Sequence, residues 1–220
     1  MTQSQESFTD LNDNGLLDLD VYIDFTCPYS YEVALWIKDV SELMGSDVMA
    51  VRWKFFSKAQ AKAVKEDSGA KVWDQPQGGA NSEGLLAFAA GGAAYEQGGE
   101  DALLKFYMAL GRLYYVENKS TGDPAPIAQA WKEAGLSGDA PDGSGSLNLS
   151  KLEQDHTEAV EKYNAFGTPT LVFEEHRAFW LQLKEHPADI ADGLELFQHV
   201  QRLAMGFPSV EDYKKVGAKE

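Results

Sequence analysis

The pattern of apolar and polar positions predicts two strands separated by one helix near the start of the chain. Residues Leu19 to Phe25 form a short apolar run that is typical of a largely buried strand. Residues Met49 to Phe55 alternate between apolar and other side chains, which predicts a second strand. Between them an apolar helix face ends before Gly45 and consists of Val33, Trp36, Ile37, Val40, Leu43 and Met44. Such a unit favours a parallel strand pair with a right-handed crossover.

The middle of the chain is rich in Ala and Leu and predicts helices. We expect them over residues 84–96, 101–117 and 128–134. Residues 137–148 have the turn-forming composition of a linker or surface loop. Because this block of helices follows the second strand, we interpret it as a helical insertion within a sheet domain.

The last third of the chain predicts a helix, a β-hairpin and a final helix. Ser150 and Glu153 have the spacing of a capping box at a helix start. Residues 170–173 and 178–181 predict the two hairpin strands. The final helix is expected over residues 188–205, with an inner face made of Ile190, Leu194, Phe197 and Val200.

The order of these elements predicts an α/β chain with a thioredoxin-like fold, β-α-β followed by a helical insertion and α-β-β-α. Residues 18–56 and 150–215 would form the thioredoxin-like domain, and residues 57–149 the inserted helical domain. Residues 1–17 are polar and acidic, which predicts a flexible N-terminal tail.

Composition and charge narrow the range of partners. The chain has 220 residues, of which 19 are Lys or Arg and 35 are Asp or Glu, so the formal net charge is −16. This charge repels phosphate backbones and anionic lipid headgroups, so we expect neither a nucleic-acid nor a membrane partner. No basic residue precedes Lys38 and no apolar run has the length of a membrane span, so we expect a cytoplasmic protein. The four histidines lack the spacing of a metal site, and we expect none.

Cys27 is the strongest candidate for chemistry, and it is the only cysteine of the chain. It follows a predicted strand and precedes a predicted helix, in which Pro28 suits the first position. Free backbone N–H groups and the positive end of the helix dipole favour an anion there, which predicts a reactive, redox-active thiolate. Ser30 lies one turn further on and can donate its hydroxyl to the sulfur. The alternative is a buried, inert cysteine, which is where free cysteines usually lie.

A second candidate feature is the segment Gly167-Thr168-Pro169-Thr170 at the start of a predicted strand. A cis peptide bond or a tight turn is tolerated at such a proline. A cis bond before Pro169 would leave the backbone N–H and C=O of Thr168 available to an extended ligand.

The segment DFTCPYSYEVALW, followed much later by FGTPTLVF, resembles the DsbA family of thioredoxin-fold proteins. The resemblance implies that Cys27 is the nucleophile of a motif completed by Pro28, Tyr29 and Ser30. It also implies a substrate-binding set with Pro169 as the cis-proline and Thr168 as the residue that pairs with substrate, together with Phe25 and Thr26. The C-terminal part of the chain is similar to cytosolic members of this family, including mycothiol-dependent nitroreductases.

Ser30 stands where a second cysteine would resolve a mixed disulfide, so the resemblance predicts a monothiol oxidoreductase. A low-molecular-weight thiol of the glutathione, mycothiol or bacillithiol type would be the co-substrate. We expect no tightly bound cofactor. The protein could be a homodimer. The motif also resembles those of kappa-class glutathione transferases and hydroxychromene-carboxylate isomerases, in which the first position steadies the thiolate of bound glutathione. The third alternative is a non-catalytic thioredoxin-fold binding protein.

Overall fold

The computed structural model describes residues 16–67, 69–74, 84–175 and 177–207. The strands are β1 (Leu17–Ile23), β2 (Met49–Phe55), β3 (Thr170–Phe173) and β4 (Arg177–Trp180), in the sheet order β2-β1-β3-β4. The α-helices are α1 (Pro28–Met44), α2 (Lys58–Glu66), α3 (Leu85–Tyr115), α4 (Pro124–Glu133), α5 (Ser150–Tyr163) and α6 (Ile190–Gly206). The predicted thioredoxin-like fold, with helices inserted between β2 and β3, is confirmed.

The topology brings three separate segments to one edge of the sheet. Strands β1 and β2 are parallel, so both end at this edge, and the antiparallel β3 begins there. The N–H of Phe56 donates to the carbonyl of Ile23 at 2.9 Å and holds the two strand ends together. Residues 24–27, 56–58 and 167–169 therefore lie close to one another.

The inserted helix α3 and the helix α5 both pack directly on the sheet. Strand β2 is an edge strand, and an exposed edge would offer unpaired N–H groups to other chains. Here side chains of α3 and α5 take up those donors: Trp53 N donates to Glu100 Oε2 at 2.8 Å, Phe55 N to Asp155 Oδ2 at 2.9 Å, and Ser57 N to His156 Nδ1 at 3.1 Å. Burial raises the pKa values of the Glu100 and Asp155 carboxyl groups above those of exposed carboxyl groups. The domain boundaries at residues 57 and 149 stay a prediction, since one hydrophobic core includes sheet and inserted helices.

Several element boundaries differ from those predicted. Strand β1 begins at Leu17, which is fully buried and pairs with Met49, so the expected tail is shorter at its C-terminal end. The remaining tail, residues 1–15, lies outside the described residues. The two helices expected over 84–96 and 101–117 are the two halves of α3, separated by non-helical backbone at Gly98 and Gly99, where Gly99 adopts a φ of 65° that side-chain-bearing residues avoid. Helix α4 begins four residues earlier than expected, at Pro124.

The predicted capping box is wrong. Leu149 is the N-cap of α5, and Ser150 is the first helical residue, whose N–H donates to Asn148 Oδ1 at 3.1 Å. Glu153 instead pairs with Lys71 at 3.3 Å. Two residues of the predicted inner helix faces are also exposed, because each lies at a helix end beyond the packing contacts: Leu43 and Ile190.

Two neighbouring glycines of α3 give a matched test of core packing. A Cβ at Gly91 would lie 2.9 Å from ring atoms of Phe25 and Phe55, whereas the nearest atom to one at Gly92 is Lys151 Cβ at 3.8 Å. We expect Gly91→Ala to lower the free energy of unfolding by about 1–3 kcal/mol because it overpacks the core. Gly92→Ala should raise it by up to about 1 kcal/mol through helix propensity. Urea denaturation of both variants measures the difference, and equal effects would contradict this packing.

Within the described residues, every helix is too short or too polar to cross a lipid bilayer.

Candidate active site

Cys27 lies at the N-cap of α1, as predicted, with extended backbone angles and Pro28 in the first turn. Its N–H donates to the carbonyl of Asp24 at 3.1 Å, and its carbonyl accepts the N–H groups of Ser30 and Tyr31 at 3.0 and 3.2 Å. The side chain makes no capping hydrogen bond and only 2% of the residue is exposed. Pro28 is exposed and Tyr29 is half-buried, so the motif reaches the surface just beyond the cysteine.

The two sequence motifs meet at the sulfur. Cys27 Sγ lies 3.6 Å from the carbonyl oxygen of Thr168, within reach of a weak S–H···O hydrogen bond. The Thr168–Pro169 peptide bond is cis. Thr170 Oγ1 donates to the carbonyl of Gly167 at 2.8 Å and closes the turn. Residues 141 positions apart in the chain thus form one site.

Two of the expected site residues have a different position. Ser30 is fully buried, and its Oγ accepts the N–H of Asp24 at 3.4 Å. This hydrogen bond holds the cysteine loop, and the expected donation from Ser30 to the Cys27 thiolate stays a prediction. Phe25 was expected to bind substrate, but its ring lies in the core against Phe88 and Tyr107, with centroids at 5.3 and 5.0 Å.

Asp24 is a buried carboxylate of the site that the sequence analysis missed. Only 2% of the residue is exposed. Its Oδ1 accepts the N–H and the hydroxyl of Thr26, each at 2.7 Å, and its Oδ2 accepts the N–H of Lys58 at 2.8 Å. Burial raises the pKa of this carboxyl, while the three hydrogen bonds act in the opposite direction. Asp24 therefore ties the cysteine loop to the start of α2.

Two tyrosines of α3 support the same loop from the other side. Tyr107 donates to the carbonyl of Asp24 at 3.4 Å, and Tyr115 donates to the carbonyl of Phe25 at 3.1 Å. Burial raises the pKa of both phenols well above its ordinary value, and the nearby Cys27 and Asp24 raise it further. Both phenols stay protonated as donors, so the inserted helix fixes the backbone that carries Cys27.

A cavity of about 680 Å³ opens beside Cys27, which we call the loop pocket. Thr26 and Pro28, the neighbours of the cysteine, line one side of it. The other lining residues are Tyr114 and Tyr115 of α3, Gly84 immediately before α3, and those of the turn that follows α3: Asn118, Lys119, Ser120, Thr121 and Gly122. Among the described residues that line it, Lys119 carries the only formal charge. In a chain of net charge −16, this pocket can take a neutral or anionic polar ligand.

Several residues of the site were not predicted from the sequence, and most of them are far from Cys27 along the chain. Asp24 could have been suspected as an acidic residue placed between a buried strand and the cysteine. Tyr107, Tyr115 and Lys119 gave no local signal, since their relation to Cys27 depends on how α3 packs. The described residues contain no group of three or more side chains that could hold a metal ion.

Comparison with known proteins identifies relatives across most of the chain. The family model of the DSBA-like thioredoxin domain matches residues 18–186. An uncharacterized protein of Mycobacterium tuberculosis, Rv2286c, is 25% identical over 201 residues, which cover 90% of this chain and 81% of the relative. Members of the matching family are thiol–disulfide oxidoreductases or isomerases.

Solved structures share the fold at low sequence identity. The probable DsbA oxidoreductase SCO1869 from Streptomyces coelicolor has a TM-score of 0.55 and 17% identity, covering 92% of this chain and 94% of that one. A 2-hydroxychromene-2-carboxylate isomerase has a TM-score of 0.54 and 15% identity, covering 89% and 100%. The cytosolic disulfide reductase DsbM from Pseudomonas aeruginosa with GSH has a TM-score of 0.52 and 16% identity, covering 84% and 99%.

Proposed function

The chain belongs to the DSBA-like thioredoxin domain family, and from that premise we propose that it catalyses thiol–disulfide exchange through Cys27 alone. The observation that carries the proposal is the meeting of Cys27 Sγ with the carbonyl of Thr168 at 3.6 Å, next to the cis peptide bond and the loop pocket. A disulfide that enters along residues 167–169 would present its sulfur atoms to the only thiol of the chain.

The proposed cycle has two exchange steps. The Cys27 thiolate attacks a substrate disulfide, one S–S bond breaks, and one substrate thiolate leaves while the other half stays bound to Cys27 as a mixed disulfide. A small thiol then attacks the mixed disulfide as its thiolate, restores the Cys27 thiolate and leaves as a new disulfide with the substrate half. Ser30 cannot resolve the intermediate, so the second step depends on the external thiol.

We infer that the external thiol is of the glutathione, mycothiol or bacillithiol type and that it enters the loop pocket. The hydroxyl groups and backbone of residues 118–122 suit a polar ligand, and Lys119 suits a carboxylate on it. The solved structure of DsbM with GSH concerns a protein of the same fold. Under this proposal the protein works in the cytoplasm on small thiols and disulfides, with no nucleic-acid or membrane partner.

A coupled assay tests the proposed function. Reduction of bis(2-hydroxyethyl) disulfide is followed with glutathione, or with mycothiol, as the second substrate and the matching disulfide reductase as the coupling enzyme. The proposal predicts turnover that saturates in the small thiol and that exceeds the uncatalysed exchange. Rates equal to the uncatalysed exchange with both thiols would contradict it.

The charge of Lys119 provides a more specific prediction. Lys119→Gln removes the positive charge from the loop pocket and should raise the KM for glutathione about two- to fivefold, with little change in kcat, because an exposed charge pair contributes up to about 1 kcal/mol to binding. Lys105→Gln is the matched control, because Lys105 is a lysine of α3 that pairs with Asp101 and does not line the pocket. An unchanged KM in Lys119→Gln would place the thiol elsewhere.

Burial of Cys27 favours a second candidate, in which Cys27 holds the thiolate of bound glutathione without attacking. With 2% of the residue exposed, the sulfur has little room for a bulky disulfide. A transferase or isomerase of this kind would keep its activity in Cys27→Ser, because a serine hydroxyl can also hold the thiolate. The first candidate function would lose its activity in the same variant.

A further inference from the structure

A second cavity lies between α2 and α5, and neither Cys27 nor Thr168 is among the residues that line it. This α2–α5 groove has a volume of about 530 Å³. Its apolar wall consists of Phe56, Ala61, Val64, Val160, Ala165 and Phe166. It shares no lining residue with the loop pocket among the described residues, and Cys27 does not line it.

Several large side chains of this apolar wall are exposed to solvent. Val64 is 41% exposed, Val160 is 42% exposed and Phe166 is 69% exposed. Large apolar side chains scattered over a surface are ordinary, but a contiguous concave cluster of them marks a binding site.

His156 gives the groove one hydrogen-bond donor. Its Nδ1 accepts the N–H of Ser57 at 3.1 Å, so the neutral ring carries its hydrogen on Nε2. Burial lowers the pKa of this imidazole to about 4, so the ring is neutral at physiological pH. The ring packs on Phe56 with the centroids 4.4 Å apart, which fixes its orientation at the wall of the groove.

Trp73 gives a second donor that the fold itself does not use. Its Nε1 is buried and has no hydrogen-bond partner. The segment that carries it is held in place by Gln60, whose Oε1 accepts the N–H of Val72 at 2.8 Å and whose Nε2 donates to the carbonyl of Ala70 at 2.7 Å. A buried indole N–H without an acceptor destabilises the folded protein. A bound ligand with an acceptor atom at this place would remove that cost. The Trp73 and His156 rings lie 5.8 Å apart.

The charged residues of the groove favour an anionic acceptor. Lys65 and Lys71 line one part and Glu161 another, and Lys71 also pairs with Glu153 at 3.3 Å. Glu153 balances Lys71, whereas Lys65 forms no ion pair within the part of the chain that the structure describes, so its charge is available to an anion. A carboxylate has two oxygen acceptors, which matches two N–H donors and this charge.

We propose that the α2–α5 groove is a binding site for a small apolar carboxylate, such as an aromatic acid, whose oxygens accept from Trp73 Nε1 and His156 Nε2. The hydrocarbon part lies against Val64, Val160 and Phe166. Cys27 does not line this groove, so its ligand is recognised without contact with the thiol.

The test uses 2-naphthoate as the probe and the full chain labelled with ¹⁵N. The indole N–H signals of the tryptophans are followed during titration, and Trp73→Phe identifies the signal of Trp73 by its loss. The Trp73 signal should move and saturate. The signals of Trp36 and Trp131 should stay, because these indoles already donate to the carbonyls of Gly193 and Ser137 at 2.8 and 3.2 Å. A Trp73 signal that does not move would overturn the proposal.

Variants measure the contribution of the donor. Trp73→Phe should weaken 2-naphthoate binding about 2- to 10-fold, the range of one hydrogen bond, and should leave the binding of naphthalene, which has no acceptor, unchanged. Trp131→Phe is the matched control, because the Trp131 indole lies on α4 outside the groove and donates to the carbonyl of Ser137. Val160→Glu places a like charge on the exposed wall and should weaken 2-naphthoate about tenfold without affecting the core. Wild-type affinity for 2-naphthoate in Trp73→Phe or in Val160→Glu would contradict the site.

Discussion

Cys27→Ser is expected to lower the rate of glutathione-dependent disulfide reduction by at least about 10³-fold, as the loss of a catalytic nucleophile does in other enzymes. A serine hydroxyl cannot form the mixed disulfide on which both exchange steps depend. The measurement is the coupled assay with bis(2-hydroxyethyl) disulfide, performed at equal concentrations of folded wild type and variant. Serine fits the space of the buried thiol, so the fold should be retained.

Two controls make this result decisive. Matching thermal unfolding curves of Cys27→Ser and wild type show that the loss is chemical. A glutathione-dependent isomerisation or conjugation assay tests the second candidate on the same samples. If Cys27→Ser keeps more than about a tenth of its activity, Cys27 only steadies a bound thiolate, and the monothiol exchange cycle is wrong.

His156 is expected to make the stability of the fold depend on pH. Burial lowers its pKa from 6.5 to about 4, so the unfolded chain takes up a proton more readily than the folded one between these values. The contribution of neutral His156 to stability is therefore complete above about pH 6.5 and is lost as the pH falls towards 4. The difference corresponds to about 3 kcal/mol in the free energy of unfolding, of which about 2 kcal/mol is lost by pH 5.

The measurement compares wild type with His156→Asn, in which the amide oxygen can still accept the N–H of Ser57. Urea denaturation at pH 7, 6 and 5 gives both free energies of unfolding. Because Asn does not titrate, the advantage of wild type should shrink by about 2 kcal/mol between pH 7 and pH 5. His199→Asn is the control, since the side chain of His199 is 68% exposed and should not change the pH dependence. A constant difference between wild type and His156→Asn would show that the imidazole is not held neutral.

Local patterns were sufficient for the elements that position the cysteine. Pro28 at the first turn and Gly45 at the end define α1, and alternation defines β2, so the strand–helix–strand unit was predicted within a few residues. The capping box failed because Asn148, not Ser150, provides the side-chain acceptor at the start of α5. The break in α3 was placed correctly near residues 97–100, since the backbone is non-helical at Gly98 and Gly99 and divides α3 into two halves.

The site was predicted only where it depends on short motifs. Cys27 and Thr168-Pro169 were identified from neighbouring residues, and the fold brings them together. The donation of Ser30 to the sulfur stays a prediction, and the structure adds a contact that the sequence did not indicate, in which the Ser30 hydroxyl accepts the N–H of Asp24. Tyr107, Tyr115 and Lys119 could not be found from the sequence, because they reach the cysteine loop through the tertiary packing of the inserted helices. Long-range contacts of this kind have no signature in the local pattern.

The most direct test of the monothiol cycle is intact mass spectrometry of the folded chain after incubation with glutathione disulfide. We predict that one glutathionyl group attaches to Cys27 in the native protein, faster than to the urea-unfolded chain, and that added glutathione removes it and restores the free thiol. A native chain that stays unmodified, while the urea-unfolded chain reacts, would contradict the account. Cys27 would then be a buried structural residue, and the exchange reaction would have no nucleophile in this protein.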